Sequence, residues 1–204
     1  MATKIVKINE KNEAEALKVL TSSIIDDPNK VYYFPEKEDR VKNSPWMIER
    51  LSKALSKFDE KYALVENSKI VAVAMWIPPG KHITMGQLLR YGILQLPFRI
   101  GFKKFLKVIS SLNVGEKIQK EVTQGKNHWH LFYIGVDPNH QRKGFGSMIL
   151  KPGLEVADKQ KLPVFLQNFT VENTNFYQKN GFKVMKFYNF SDDILMRNML
   201  REPQ

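Results

Sequence analysis

Two features of the chain have the composition of ligand-binding or catalytic sites. The first is Gln141-Arg142-Lys143-Gly144-Phe145-Gly146, which follows a predicted strand and turn and precedes a predicted helix. Two glycines let a ligand approach the backbone, the free N–H groups of a first helical turn attract an anion, and Arg142 and Lys143 add positive charge. This combination predicts binding of a pyrophosphate or phosphate group, although a glycine-rich helix start without a ligand has the same composition. The Walker P-loop and dinucleotide spacings are absent.

The second feature is the pair His128 and His130 on a predicted strand, where both side chains lie on one face. An unperturbed imidazole titrates near 6.5 and suits a base working at neutral pH. A His-x-His pair can also begin a metal site, but no further cluster of ligands supports one. The chain has no cysteine, which excludes disulfides, thiolate nucleophiles and iron–sulfur clusters.

The elements that position these residues follow from apolar periodicity and turn residues. Predicted strands and helices alternate along the whole chain, and the segment from about 84 to 125 is an amphipathic helical insertion. The predicted strands are Lys4–Ile8, Tyr62–Glu66, Ile70–Ile77, His128–Val136, Val164–Gln167, Phe182–Phe190 and Ile194–Leu200, and the other predicted helices are Glu13–Ile25, Pro45–Phe58, Gly144–Lys161 and Asn173–Lys179. We expect Pro28 to end the first helix and Pro152 to kink the one after the hexapeptide.

Length and composition fit a single soluble globular domain spanning residues 1–204. The chain has 204 residues, of which 43% are hydrophobic and 26% are charged. Lys4 and Lys7 interrupt the N-terminal region, so no secretory signal is predicted, and no apolar run has the length of a membrane span. We therefore expect a cytoplasmic protein that is a monomer or a homodimer.

A family resemblance is carried by two motifs in order. The first motif is a strand and a turn followed by Q/R-x-x-G-x-G/A at the start of a helix, and it resembles the acetyl-CoA motif of GNAT N-acetyltransferases. The second motif, Asn173 to Phe182, resembles the N-x-x-F-Y-x-x-x-G-F signature of the same family. The similarity extends toward puromycin N-acetyltransferase-like relatives in Asp26-Asp27-Pro28, Trp76-Ile77-Pro78-Pro79-Gly80 and Pro152-Gly153. It covers nearly the whole chain. One departure is Leu166-Gln167-Asn168, where such relatives often have Leu-Glu-Thr, so the acceptor is expected to differ.

The resemblance implies a cofactor site for acetyl-CoA, with coenzyme A as product. Ile134 and Val136 match strand positions whose backbone groups pair with the pantetheine arm. Gln141, Arg142, Lys143, Gly144, Phe145, Gly146 and Ser147 match the pyrophosphate loop. Asn173 matches an asparagine beside the coenzyme arm, although a helix N-cap explains it as well.

The resemblance also implies catalytic residues. Tyr177 matches the tyrosine that faces the coenzyme sulfur and can protonate the departing thiolate, although it could instead only pack beside Phe176. His130 matches a position where relatives carry their base, although a strand-edge histidine bonded to backbone would look the same. Weaker candidates for contact with the acceptor are Asp26, Asp27, Tyr32, Tyr33, Glu49 and Trp76.

The basic charge has several explanations. The chain carries a formal net charge of +11. The segment from Lys81 to Lys126 contains nine basic residues and only two acidic residues, Glu116 and Glu121. A solvated helical face is favoured over a nucleic-acid site, because no nucleic-acid motif accompanies it and relatives have a similar basic insertion. Attraction of polyanionic coenzyme A is a third explanation.

The resulting expectation is an α/β fold with a mixed, mostly antiparallel sheet of six or seven strands and helices on both faces. The expected function is transfer of an acetyl group to a primary amine of a small molecule, by direct attack of the neutral amine on the thioester, without a metal. Acetylation of a protein or peptide amine is the alternative enzyme activity. A coenzyme A-responsive or nucleic-acid-binding module is the alternative without catalysis.

Overall fold

The fold is built on one seven-stranded sheet. A computed structural model describes residues 3–204 of the chain. The strand order across the sheet is β1-β2-β3-β4-β5-β7-β6. The strands are β1 (Thr3–Lys7), β2 (Lys61–Glu66), β3 (Lys69–Ile77), β4 (Trp129–Val136), β5 (Val164–Asn168), β6 (Lys183–Ser191) and β7 (Ile194–Arg201). Only β4 and β5 run parallel, so the mixed, mostly antiparallel sheet is confirmed.

Eight α-helices are present within residues 3–204. They are α1 (Glu13–Ile24), α2 (Pro28–Tyr33), α3 (Lys37–Leu55), α4 (Met85–Arg90), α5 (Leu96–Ile100), α6 (Phe102–Val122), α7 (Phe145–Lys159) and α8 (Val171–Lys179). Helices α4 to α6 form the predicted insertion. None of the helices in this part of the chain is long and apolar enough to cross a membrane.

Strand β3 divides the core into two layers, because its side chains alternate between the two faces of the sheet. Ala72, Ala74 and Trp76 pack with α7 on one face. Val73 and Met75 pack with α1 and α3 on the opposite face. Helices on both faces are therefore confirmed, and β3 is buried on both sides as its apolar sequence indicates.

Two proline positions differ from the sequence-based expectation. Helix α1 ends at Ile24, and Pro28 begins α2 instead of marking a loop, because a proline at the first helical position has no N–H to satisfy. Pro45 does not begin a helix but lies inside α3. It cannot donate to the carbonyl of Val41, and since Val41 is 53% exposed, water can satisfy that group.

The insertion does not pack on the sheet core alone. Leu96, Ile100 and Val108 form a third apolar cluster with Phe34 and Met47, which come from the segment containing α2 and α3. Helix α6 therefore covers the same face of the sheet as α1 and α3, next to the ends of β5 and β6.

Candidate active site

A gap opens between the two parallel strands at the centre of the sheet. Pairing of β4 with β5 is confined to Trp129 with Val164 and His130 with Phe165 within residues 3–204. Beyond these pairs, β4 continues beside β3 as far as Val136, while β5 continues beside β7. The two strands therefore separate, and the edge of β4 that faces β5 lacks a strand neighbour after His130.

The peptide groups of Ile134 and Val136 point into this gap. The N–H of Asp137 donates to the carbonyl of Val71 at 2.9 Å, which makes Asp137 a hydrogen-bonded position of the antiparallel ladder. Such positions alternate with positions whose N–H and C=O groups point away from the neighbouring strand. Val136 and Ile134 are of the second kind, so the N–H of Val136 and the N–H and C=O of Ile134 point toward an extended ligand in the gap. The side chain of Gln141 donates to the carbonyl of Val136 at 3.3 Å.

The predicted anion-binding loop lies at the N-terminus of α7. Gly144 precedes the helix in the left-handed conformation, with φ of +84°, and Arg142 has φ of +63°. Arg142, Lys143 and Gly144 are all exposed. The N–H groups of the first helical turn, which include that of Ser147, have no partner within the helix and are open to an anion.

Helix α8 brings Tyr177 to the gap. The helix begins at Val171, and the hydroxyl of Thr170 accepts from the N–H of Asn173 at 3.1 Å. Thr170 is the N-cap, so the alternative explanation of Asn173 as the cap is wrong, and the half-buried Asn173 side chain is not used for capping. Tyr177 is 6% exposed, and its ring lies 5.6 Å from that of Phe182. Burial, followed by the charge of Asp27, raises the pKa of Tyr177, so the phenol keeps its proton at neutral pH.

His130 lies on β4 between two aromatic rings. Its ring centroid is 5.3 Å from that of Phe165 and 5.6 Å from that of Phe132. Burial, followed by the neighbouring His128, lowers the pKa of His130 to about 3. The imidazole is therefore neutral at physiological pH but a weaker base than an ordinary histidine.

His128 has a structural role. Its Nδ1 lies 2.7 Å from the carbonyl of Lys126, which can only accept, so Nδ1 carries the proton. Its Nε2 then accepts from the amide of Gln119 on α6 at 2.8 Å. These bonds fix the neutral ring against the insertion.

Asp27 follows the end of α1, which packs against Gly135 on β4 through Ser23. Asp27 precedes α2 and is half-buried, but its side chain does not cap the helix. Burial raises the pKa of Asp27 to about 6, Lys30 partly offsets this increase, and Asp26 adds to it. The charge of Asp27 also contributes to the raised pKa of Tyr177, so the carboxyl group and the phenol are electrostatically coupled.

The other acceptor-site candidates lie in different environments. The carboxylate of Asp26 accepts a hydrogen bond from the guanidinium of Arg40 at 3.0 Å, and the same guanidinium donates to the carbonyl of Phe34. These two bonds fix the segment between α1 and α3. Glu49 pairs with Lys53 at 2.5 Å. Trp76 is 1% exposed and packs 6.4 Å from Trp129 in the core. The tyrosines preceding α3 differ: Tyr33 is buried and Tyr32 is half-buried, and both contact Phe190 edge to face.

The match to known families agrees with this geometry. A model described as the acetyltransferase (GNAT) family matches residues 23–182. The chain belongs to the GNAT acetyltransferase family. The matched range contains the open edge of β4, the loop before α7 and Tyr177. The protein is accordingly an acyltransferase.

Individual relatives and solved structures cover the chain more completely. An uncharacterized N-acetyltransferase of Schizosaccharomyces pombe is 24% identical over 212 residues, covering 100% of this chain and 84% of that protein. A Corynebacterium glutamicum structure described as histone acetyltransferase HPA2 and related acetyltransferase has a TM-score of 0.72 at 16% identity, covering 100% of this chain and 98% of the other. Arylalkylamine N-acetyltransferase 2 from Aedes aegypti has a TM-score of 0.68 at 14% identity and full coverage of both chains. At these identities the two structures show a shared fold.

The strand end at Gln167 is part of a neutral amide network in this acetyltransferase. The Nε2 of Gln167 donates to the Oδ1 of Asn198 at 2.8 Å and to the carbonyl of Gly115 on α6 at 3.4 Å. Asn198 is fully buried and donates to the carbonyl of Lys186 at 3.2 Å. The sequence analysis overlooked Asn198, although a polar amide within the apolar run of β7 is a signal for a buried hydrogen bond.

Proposed function

We propose that the protein is an acetyl-CoA-dependent N-acetyltransferase acting on a primary amine of a small molecule. The single observation that carries this proposal is the arrangement around the gap: an open strand edge at Ile134 and Val136, ending at one side near an anion-binding helix N-terminus and flanked by Asp27 and Tyr177. A strand-like arm with a phosphorylated end fits this arrangement. The ammonium group of a small-molecule acceptor fits it at the carboxylate.

The residues that would hold acetyl-CoA are those that the sequence motifs predict. The backbone of Ile134 and Val136 would pair with the pantetheine arm, residues 141–147 would bind the pyrophosphate, and Asn173 would contact the arm. Acetyl-CoA supplies the acetyl group in activated form. The reaction forms an amide N–C bond and breaks a thioester C–S bond, so one proton must leave the acceptor nitrogen and one must reach sulfur.

Two side chains are candidates for taking the acceptor proton. An alkylammonium has a pKa of about 10.4. Transfer to a group with a pKa of about 6, as at Asp27, is uphill by ~6 kcal/mol, whereas transfer to His130, with a pKa of about 3, is uphill by ~10 kcal/mol. The free-energy difference favours Asp27 as the group that binds the ammonium and accepts its proton. His130, the base that the family resemblance implies, remains the competing candidate.

Tyr177 is the proposed source of the proton for sulfur. Its raised pKa keeps the phenol protonated over the whole physiological range. The same shift makes the phenol a weaker acid toward a thiolate than an ordinary tyrosine, so the donation would accompany C–S bond cleavage. Proton removal from nitrogen and proton donation to sulfur would therefore be assigned to two different side chains.

Thermal melts and thiol release test the proposal together. Acetyl-CoA binding to the native state should raise the melting temperature, by about 2.7 kcal/mol of stability at a hundredfold excess over Kd. Amines from a diverse panel should then release free thiol from acetyl-CoA in a protein-dependent manner.

A matched pair of variants localises the binding. Gly144→Asp places a carboxylate at the proposed anion site and should abolish the acetyl-CoA-induced shift. Gly125→Asp is the control, because Gly125 also has a positive φ, +68°, and open space where a Cβ would stand, but lies in the turn after α6. Absence of a melting shift in the unmodified protein would contradict the proposal, and so would equal shifts in both variants.

A further inference from the structure

A groove of about 360 Å³ lies beside the proposed acceptor position. It is bordered by α2, α6 and β6, and its lining includes Tyr32, Lys103, Lys107, Ser111, Tyr188 and Phe190. The proposed chemistry of acetyl transfer uses none of these side chains. They are nevertheless arranged as a binding surface.

The groove combines aromatic walls with positive charge. The Tyr32 and Phe190 rings lie edge to face at 5.1 Å, and the Nζ of Lys107 is 4.5 Å from the centroid of Tyr32. The ammonium of Lys103 and hydroxyls from serine and tyrosine add hydrogen-bond donors, while the lining contains no carboxylate. Such a surface suits an aromatic ring that carries an anionic substituent, and it disfavours a second ammonium group.

The groove also lies at a suitable distance from the reacting centre. Helix α2 runs from Asp27, beside the gap, to the tyrosines of the groove. Tyr32 is five residues beyond Asp27, which at a helical rise of 1.5 Å per residue is about 7.5 Å. On the opposite wall, Val114 lines the groove and the adjacent Gly115 accepts from Gln167 at the gap.

We infer that this groove binds the far end of the acceptor, and that the acceptor is an aromatic monoamine with an anionic group, such as a carboxylate, remote from its amine. This inference rests on the proposed function. The amine end lies at Asp27, and the anionic end lies at Lys103 and Lys107. At Gln167 the site has an uncharged amide. A glutamate at this position would have favoured an acceptor with a second ammonium group.

Three amines with the same phenethylamine frame test the inference: tyramine, a phenethylamine with a para carboxylate, and a phenethylamine with a para aminomethyl group. Their Kd values for the protein in complex with coenzyme A are measured by calorimetry at low ionic strength, and thiol release from acetyl-CoA is measured beside them. The carboxylate should bind about tenfold more tightly than tyramine, since two exposed charge contacts of up to 1 kcal/mol each are available. The diamine should bind most weakly, and added salt should reduce the differences.

Charge reversal provides the control. The double variant K103E/K107E should invert the order so that the diamine binds more tightly than the carboxylate. The double variant K117E/K120E changes the net charge by the same amount at exposed positions of α6 outside the groove and should keep the original order. Equal Kd values for the three amines, or an unchanged order in K103E/K107E, would overturn the inference. Failure of acetyl-CoA itself to bind would refute the proposed function separately, and the Kd order measured without coenzyme A would then decide whether the groove selects an anion.

Discussion

Replacing Asp27 by Asn should stabilise the fold while it removes activity. Burial raises the pKa of this carboxyl from 3.8 to about 6. A carboxyl with a higher pKa in the folded state binds its proton more tightly there, so its ionisation opposes folding. The penalty is absent below pH ~3.8, grows as the pH rises toward 6, and reaches about 3 kcal/mol at neutral pH.

The stability gain of Asp27→Asn should therefore be at most about 3 kcal/mol at neutral pH, corresponding to a rise of several degrees in melting temperature. It should be smaller than this limit, because the buried Lys30 loses a nearby opposite charge. Near pH 3.5 the variant and the original protein should melt alike. Asp26→Asn is the control: it removes the ion pair with Arg40 and should lower stability instead.

The same substitution should change the pH profile of turnover. If Asp27 accepts the proton, kcat/KM for the amine should show an acidic limb near pH 6, and Asp27→Asn should remove this limb and reduce kcat/KM by ~10²–10⁴-fold. His130→Gln should retain the limb, because an imidazole with a pKa of about 3 does not titrate there.

Stopped assays of thiol release between pH 5 and 9, combined with thermal melts, measure both effects. Loss of the limb in His130→Gln, with the limb retained in Asp27→Asn, would refute the assignment and return the base to His130. A lower melting temperature for Asp27→Asn at neutral pH would refute the stability argument.

Three further substitutions have defined outcomes. Tyr177→Phe should lower kcat while leaving the Kd of acetyl-CoA nearly unchanged, because a leaving-group acid acts mainly in the transition state; equal turnover would make Tyr177 a packing residue. Gly153→Ala should destabilise the fold by ~1–3 kcal/mol in denaturant titrations, because the added Cβ would stand 2.2 Å from the ring of Trp76. An unchanged denaturation midpoint would show that Trp76 can move to accommodate the methyl group. Gln167→Glu should cost ~1–3 kcal/mol of stability, since it removes the donor to Asn198 and places a charge there; unchanged melting would show the amide network to be dispensable.

The sheet could be predicted from sequence because its strands have local signals. The apolar run Ile70–Ile77 and the turn at Asn67-Ser68 specify a buried hairpin strand without reference to the rest of the chain. Helix boundaries were less predictable, because a proline can both end and begin a helix. Pro28 begins α2 and Pro45 lies within α3, and only packing against the insertion decides between these outcomes.

The same distinction between local and distant signals applies to the residues of the candidate site. The loop before α7 and the motif around Tyr177 are continuous in sequence, so their residue types indicate a ligand directly. The pKa values of Asp27 and His130 depend on burial by distant segments, and no local pattern reports them. The sequence therefore favoured His130, whose ordinary pKa suits a base, over a carboxylate whose ordinary pKa does not.

Lys30 only partly offsets the burial of Asp27, so the proposed cationic ligand would have a role there. A half-buried carboxylate that caps no helix opposes folding at neutral pH, and a chain selected for stability alone would have an uncharged residue there. An ammonium group bound beside Asp27 would offset that penalty and would restore the ordinary, lower pKa of the carboxyl. At the other end of α2, Lys103 and Lys107 border the groove without a carboxylate among its lining residues. The proposed site thus has negative charge at the position assigned to the amine and positive charge about one short helix away, a separation that suits the proposed acceptor with opposite charges at its two ends.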